Sequence, residues 1–221
     1  MKLSQDTIQL LKNFSQINQS ILIRPGNVLS TVSVHNVILA EATVTETFES
    51  QAGIYDLNKF LNCLSMVPGG EVEFEEANIK ISDESSKMMY RTCDPSVIKS
   101  PPDKKLSLPT KDVCFTLEED VLQRAVRTSS ILGCPDISFI GDRSKVLLSV
   151  HDKKNSGSNS LIIEIGDTES EFNYDYKVEN LKVLPGNYDV VVSGKDISMF
   201  TNHSKPLAYY IALEPTSDFN P

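Results

Sequence analysis

The sequence predicts an α+β fold made of two tandem, similar halves. Three observations carry this: an amphipathic helical pattern opens each half, period-2 apolar runs fill much of the remainder, and a proline-rich stretch separates the two. With 221 residues, 40% hydrophobic and 23% charged, the chain is long enough for two units of roughly 100 residues each. The expected division is an N-terminal domain over 1–92, a connector over 93–110 and a C-terminal domain over 111–221.

The first helix is predicted from Ser4 to Asn18, with Ser4 as N-cap and Asp6 in the first turn, where the helix dipole favours acid. Leu3, Leu10, Leu11, Phe14 and Ile17 share one face. Gln5, Gln9, Lys12 and Gln16 share the other, with Lys2 and Asn13 at its margin. A β-hairpin is expected next, from Asn27 to Val34 and Val37 to Val44, turning at His35-Asn36. Asp56 then caps a second helix through Leu57, Phe60, Leu61 and Leu64, which Val67-Pro68-Gly69-Gly70 ends. Strands follow at Glu71 to Glu75, Asn78 to Ser82 and Ser86 to Thr92.

Between Cys93 and Lys111 the prolines Pro95, Pro101, Pro102 and Pro109 cannot donate to a sheet ladder and favour extended backbone, which marks a connector. The second half then repeats the order of the first. Thr116-Leu117-Glu118-Glu119 reads as a capping box opening a helix to about Leu132. Strands are expected at Ile137 to Ile140, Lys145 to Val150 and Ser160 to Ile165, with Lys153 to Ser160 a loop. Tyr176 to Gly186 matches the second helix and exit of the first half, Tyr55 to Gly69, and three more strands follow. Ser4 aligns with Thr116, Pro68 with Pro185 and Tyr90 with Tyr210, a slow one-directional drift that suits a tandem duplication.

Chemistry is mainly excluded. Cys63, Cys93, Cys114 and Cys134 are isolated, and His35, His151 and His203 are not at ligand spacing to them, so neither a metal site nor a cofactor is expected. There is no nucleophile elbow, Walker A sequence or dinucleotide fingerprint, and hence no catalytic residue to name. No apolar run approaches the roughly 20 residues of a membrane span, and Met1 to Asp6 lacks the apolar core of a leader, so a cytoplasmic protein is expected.

The charge pattern is informative. The net charge is −9, and from Glu41 to Glu84 ten carboxylates face only Lys59 and Lys80. Yet the polar helix stripes are poor in carboxylate, and two of the five arginines, Arg124 and Arg127, lie on one of them with Gln123 and Ser130. Such a surface suits a polyanion while the rest of the molecule repels it. No helix-turn-helix, finger or stacking motif accompanies the stripes, so contacts would go to phosphate and ignore sequence. A surface of that kind holds DNA usefully by surrounding it.

Over essentially the whole chain the sequence resembles the sliding clamps of T-even-like bacteriophages, which are DNA polymerase processivity factors. The likeness is carried by Met1-Lys2-Leu3-Ser4 with Leu10-Leu11-Lys12-Asn13-Phe14, and by Ile54-Tyr55-Asp56-Leu57-Asn58 with Phe60-Leu61. Asp94-Pro95-Ser96, Pro185-Gly186-Asn187-Tyr188 and Ala212-Leu213-Glu214 complete it. The resemblance implies two domains of the DNA-clamp fold, outer antiparallel sheets with inner helices, and a closed homotrimeric ring around double-stranded DNA in the host cytoplasm. It also implies a DNA polymerase and an ATP-driven clamp loader as partners, with the clamp itself hydrolysing nothing. Carried over position by position, Lys2, Lys12, Lys59, Arg124, Arg127, Lys177 and Lys182 are the expected DNA-facing residues. Ile98, Leu106, Leu108, Tyr210, Ile211 and Leu213 are the expected partner-peptide pocket, and the connector departs from the family pattern in being richer in proline and lysine over Lys99 to Leu108. A β-rich viral structural or scaffold protein is the alternative reading. It gives no reason for matched carboxylate-poor helices.

Overall fold

The structure is a computed structural model and describes residues 1–103, 106–194 and 196–220. It divides into two compact units, Met1–Lys104 and Lys105–Pro221.

Unit 1 opens with helix α1 (Gln5–Ile17), capped by Ser4, whose hydroxyl accepts from the Thr7 amide at 3.2 Å. Strands β1 (Ile21–Ile23), β2 (Gly26–Val32), β3 (Ile38–Phe48) and β4 (Ala52–Ile54) follow. The β2–β3 hairpin turns through Asn36, in the left-handed region at φ 57°, and the Ser33 hydroxyl accepts from the Val37 and Ile38 amides. Along β3 burial alternates almost strictly, so one face packs and the other meets solvent. Helix α2 (Leu57–Met66) comes next, with Asp56 accepting from the Lys59 amide at 2.9 Å. Strands β5 (Glu71–Phe74), β6 (Asn78–Ser82) and β7 (Lys87–Arg91) form an antiparallel sheet. The two helices pack on each other, and Leu11, Phe14, Ile54, Leu57 and Phe60 are almost fully buried.

Unit 2 begins with β8 (Val113–Leu117) and helix α3 (Glu119–Leu132), which ends at Gly133 with φ 68°. Only glycine takes that conformation without a Cβ penalty. Strands β9 (Asp136–Asp142), β10 (Lys145–His151), β11 (Leu161–Asp167) and β12 (Glu171–Lys177) belong to one antiparallel sheet. Strands β13 (Tyr188–Ser193), β14 (Ile197–Asn202) and β15 (Leu207–Ala212) form another with β8, in the order β15-β14-β13-β8. Finally β16 (Asp218–Asn220) joins the first, giving β11-β10-β9-β12-β16. Tyr176 joins the sheets through edge-on contacts, 5.5 Å to Phe139 in the first and 6.1 Å to Phe200 in the second.

Three expectations are corrected. Thr116 does not cap α3. It lies in β8 with its hydroxyl toward Asp189 (3.3 Å), and the orphan amide of Glu119 is met by the Asn187 side chain at 2.9 Å. The expected second helix of this half is also absent among the described residues, where Tyr176 to Gly186 holds only a 3-10 turn at Val178–Asn180. Lys177 offers no capping oxygen, Val178 and Val183 disfavour helix, and the Leu184 backbone is bonded to two side chains instead. Its amide donates to the Tyr209 hydroxyl (3.0 Å) and its carbonyl accepts from Tyr188 (2.6 Å). The stretch still buries Leu181 and Leu184, so its apolar spacing was real although its helix was not. Finally, β1, β4, β8, β12 and β16 are strands with no counterpart in the sequence reading, three of them too short to show a period.

Candidate nucleic-acid face and partner pocket

The outward stripe of α1, Gln5, Gln9, Lys12 and Gln16, is exposed throughout, while Leu10, Leu11, Phe14 and Ile17 are buried. Asn13, expected at the stripe's margin, is instead buried. On α2 the exposed residues are Asn58, Lys59, Asn62, Ser65 and Met66, and the helix contains no carboxylate beyond its cap. On α3 they are Gln123, Arg124, Arg127, Ser130 and Ile131; the acids Glu119 and Asp120 are confined to the first turn, where Glu119 accepts from Gln123 at 2.6 Å.

Cations in the sheets and loops are of two kinds. Lys80, Lys145, Lys153, Lys177, Arg24 and Arg143 are all held in ion pairs. Among the described residues Lys87, Arg91, Lys111 and Lys154 make none, and neither do Lys12, Lys59, Arg124 and Arg127, which stand instead on helix faces poor in carboxylate. A lysine committed to a buried carboxylate cannot turn to a phosphate without stranding that charge, whereas an unpaired exposed cation can.

By that test the expected DNA-facing set separates. Lys12, Lys59, Arg124 and Arg127 sit on exposed helix faces. Lys2 precedes α1, next to the Met1 backbone that pairs with Val72, and borders a hollow with Glu71, Asp83 and Glu84. Lys177 is not on a helix, and its ammonium bonds Asp136, whose side chain is 2% exposed. Burial alone would raise the Asp136 carboxyl, but the Lys177 hydrogen bond and the Lys153 amide outweigh it and hold the group below its ordinary range. Lys182 lies half-buried in the non-helical stretch beside α3.

One residue of this face escaped sequence reasoning. Glu46 on β3 is buried beneath the start of α1, accepting from the Ser4 amide (2.5 Å) and the Thr7 hydroxyl (2.6 Å). Its burial pushes the carboxyl up, but these bonds outweigh burial and leave it lowered. Glu46 thereby fixes the helix that carries Lys12. In the sequence it is one acid among ten, and no local pattern singles it out.

The expected pocket residues also differ among themselves. Leu106 and Leu108 are half-buried in unit 2, and the Tyr210 hydroxyl donates to the Leu106 carbonyl at 3.2 Å. Leu213, just past β15, is 9% exposed. Ile211 is fully buried within β15 and belongs to the core, as β15 is covered on both faces. Ile98 lies in unit 1, buried where β4 meets Cys93. Gly53 is required there, because a Cβ would stand 2.6 Å from the Cys93 carbonyl oxygen. The connector itself is divided: Ser100, Pro101 and Asp103 are bonded by Arg24 of unit 1, and Leu106 by Tyr210 of unit 2.

Beside α3 runs an apolar groove of about 310 Å³, lined by Leu122, Val126, Arg127, Leu181, Val183 and Leu184. Among the described residues no cluster of His, Cys, Asp and Glu is arranged to hold a metal, and no helix is long and apolar enough to cross a membrane.

Comparison with known proteins agrees with this geometry. Residues 4–100 match the family described as DNA polymerase processivity factor, and residues 114–215 match the gp45 sliding clamp C-terminal family. The sliding clamp of Escherichia phage RB69 is 32% identical over 225 residues, covering 98% of both chains. That of Vibrio phage KVP40 is 30% identical over 222 residues, covering 97% of this chain and 99% of the other. Among solved structures, A. fulgidus PCNA bound to the C-terminal region of FEN-1 superposes with a TM-score of 0.69 at 14% identity, covering 96% of each chain. The Helicobacter pylori beta clamp bound to a DNA ligase peptide gives 0.74 at 14% identity, over 97% of this chain and 65% of that one. These two share the fold. Nothing in the relatives supports a virion or scaffold role.

Proposed function

Because this chain belongs to the phage sliding-clamp family of DNA polymerase processivity factors, we propose that its helix faces line the hole of a closed ring and that Lys12, Lys59, Arg124 and Arg127 meet the phosphates there. The observation that carries this is the set of unpaired cations on faces poor in carboxylate, in a chain of net charge −9. B-DNA presents a charge about every 1.7 Å of axis, so each cation meets near-equivalent phosphates as the duplex moves and no position is favoured. The protein tethers a DNA polymerase to duplex DNA, is opened by an ATP-driven loader in the host cytoplasm, and needs no catalytic group of its own.

Ring closure follows from strand edges. In unit 2, β11 is an outer strand with Ile162 62% exposed, and an unpaired edge with an apolar side chain is a template for a strand of another copy. Head-to-tail contacts of this sort close when the rotation permits, three copies being the family's number. The partner pocket is assigned to Leu106, Leu108, Tyr210 and Leu213, without Ile98, which belongs to unit 1, and without Ile211, which has no exposed surface. The test is topological: a loaded ring stays on a nicked circular plasmid and runs off once the plasmid is cut. Equal retention on linear DNA with free ends refutes it.

A further inference from the structure

Unit 2 contains a buried polar knot that the sequence did not disclose. The Asp175 carboxylate in β12 has no exposed surface. An ionised carboxylate only accepts, and here both oxygens are filled. Oδ1 accepts from the Ser138 hydroxyl (2.5 Å) and the Asn173 amide (3.2 Å). Oδ2 accepts from the Lys153 ammonium, the Asn173 amide (3.2 Å) and the Thr216 hydroxyl (2.8 Å). Lys153 also donates to Thr216 at 2.7 Å.

The backbone of the same residue holds the chain that passes over it. The Asp175 amide donates to the Ser217 hydroxyl (2.9 Å), and its carbonyl accepts from the Glu214 amide (2.9 Å). Residues 213–217 are the crossover that leaves β15 and enters β16 in the other sheet of the unit. That crossover begins at Leu213 and follows Tyr210, two of the residues assigned to the partner pocket.

We propose that Asp175, acting through Thr216 and Lys153, is the positioning residue for partner docking: it clasps the crossover so that Leu213 and Tyr210 stand preformed for an extended apolar peptide. This rests on the pocket assignment above. A peptide that meets an ordered groove does not have to order it, and the saving appears directly in affinity. A buried carboxylate is costly unless every lone pair is used. This carboxylate uses them to hold the segment that leads from Leu213 of the pocket to β16.

Thr216 is exposed, so it can be changed without opening the core. The probe is a short fluorescent peptide copied from the C-terminus of the cognate DNA polymerase, titrated by anisotropy against the intact ring. Thr216→Val keeps the shape and removes the hydroxyl; it is expected to weaken the peptide about tenfold, equivalent to about 1.4 kcal/mol, and to speed amide exchange at 213–217 while melting temperature and ring mass hold. Thr216→Ser restores the hydroxyl and is expected to restore affinity. Val and Ser variants that both bind like the parent overturn the clasp, as does an affinity loss that only tracks a fall in melting temperature. Leu106→Ser with Leu108→Ser serves as the reference arm. If that pair weakens the peptide and Thr216→Val does not, the clasp alone is wrong. If that pair leaves the affinity unchanged, the pocket assignment fails and the clasp's role falls with it.

Discussion

Arg124 and Arg127 stand on the exposed side of α3 while Leu122 and Ala125 fill the core behind them, so changing both arginines to Glu reverses the local field without touching the packing. Loading and processive synthesis are expected to fall while ring mass and melting temperature are unchanged, and moderate salt should weaken the parent by screening. A double variant that loads and slides normally at low salt would make these arginines ordinary surface residues. The buried carboxylates give a second residue-scale prediction. Glu46 and Asp136 hold their protons less tightly in the fold than in the unfolded chain, where carboxyls titrate near 4. Their ionised forms therefore stabilise the fold at every pH above that value, and the contribution is lost as pH falls through the lowered folded values. Melting temperature is expected to be flat from neutrality to about pH 5 and then to drop; Glu46→Gln and Asp136→Asn should each lower the plateau and flatten the drop. A plateau and slope unchanged in both variants would remove these groups from the account.

The helices and strands show what local sequence can and cannot specify. Ser4 and Asp56 cap α1 and α2 because their side chains lie within three residues of the amides they satisfy, and short-range chemistry of that kind is legible. Asn187 caps α3 from far along the chain, and Thr116, which has the right spacing for the task, is held in β8 by the ladder it forms with β13. Asn187→Ala is therefore expected to cost about 1 kcal/mol, seen as a lower melting temperature, whereas Thr116→Ala should cost less. The reverse order would restore the capping box. The stretch from Tyr176 to Gly186 makes the same point, since its apolar spacing fits a helix and the Tyr188 and Tyr209 hydroxyls decide otherwise. The helix stripes with Lys12, Arg124 and Arg127 were visible as periodicity. Lys177 was not separable from them, because its partner Asp136 comes from another strand.

At the scale of the whole molecule the two units are alike in order and unlike in surface. Unit 1 has α1 against α2, and unit 2 has α3 beside a non-helical stretch and an apolar groove. A ring of identical two-domain subunits would have approximate six-fold symmetry if the halves were equivalent. Here the equivalence is broken at the surface that bears the charge. Unit 1 bears two unpaired lysines on its helices, Lys12 and Lys59, and unit 2 bears the two arginines of α3, which carry a planar, more weakly hydrated charge than ammonium does. Phosphate would then meet two kinds of donor on one chain, a point-charge ammonium from unit 1 and a planar fork from unit 2, and the two are not interchangeable.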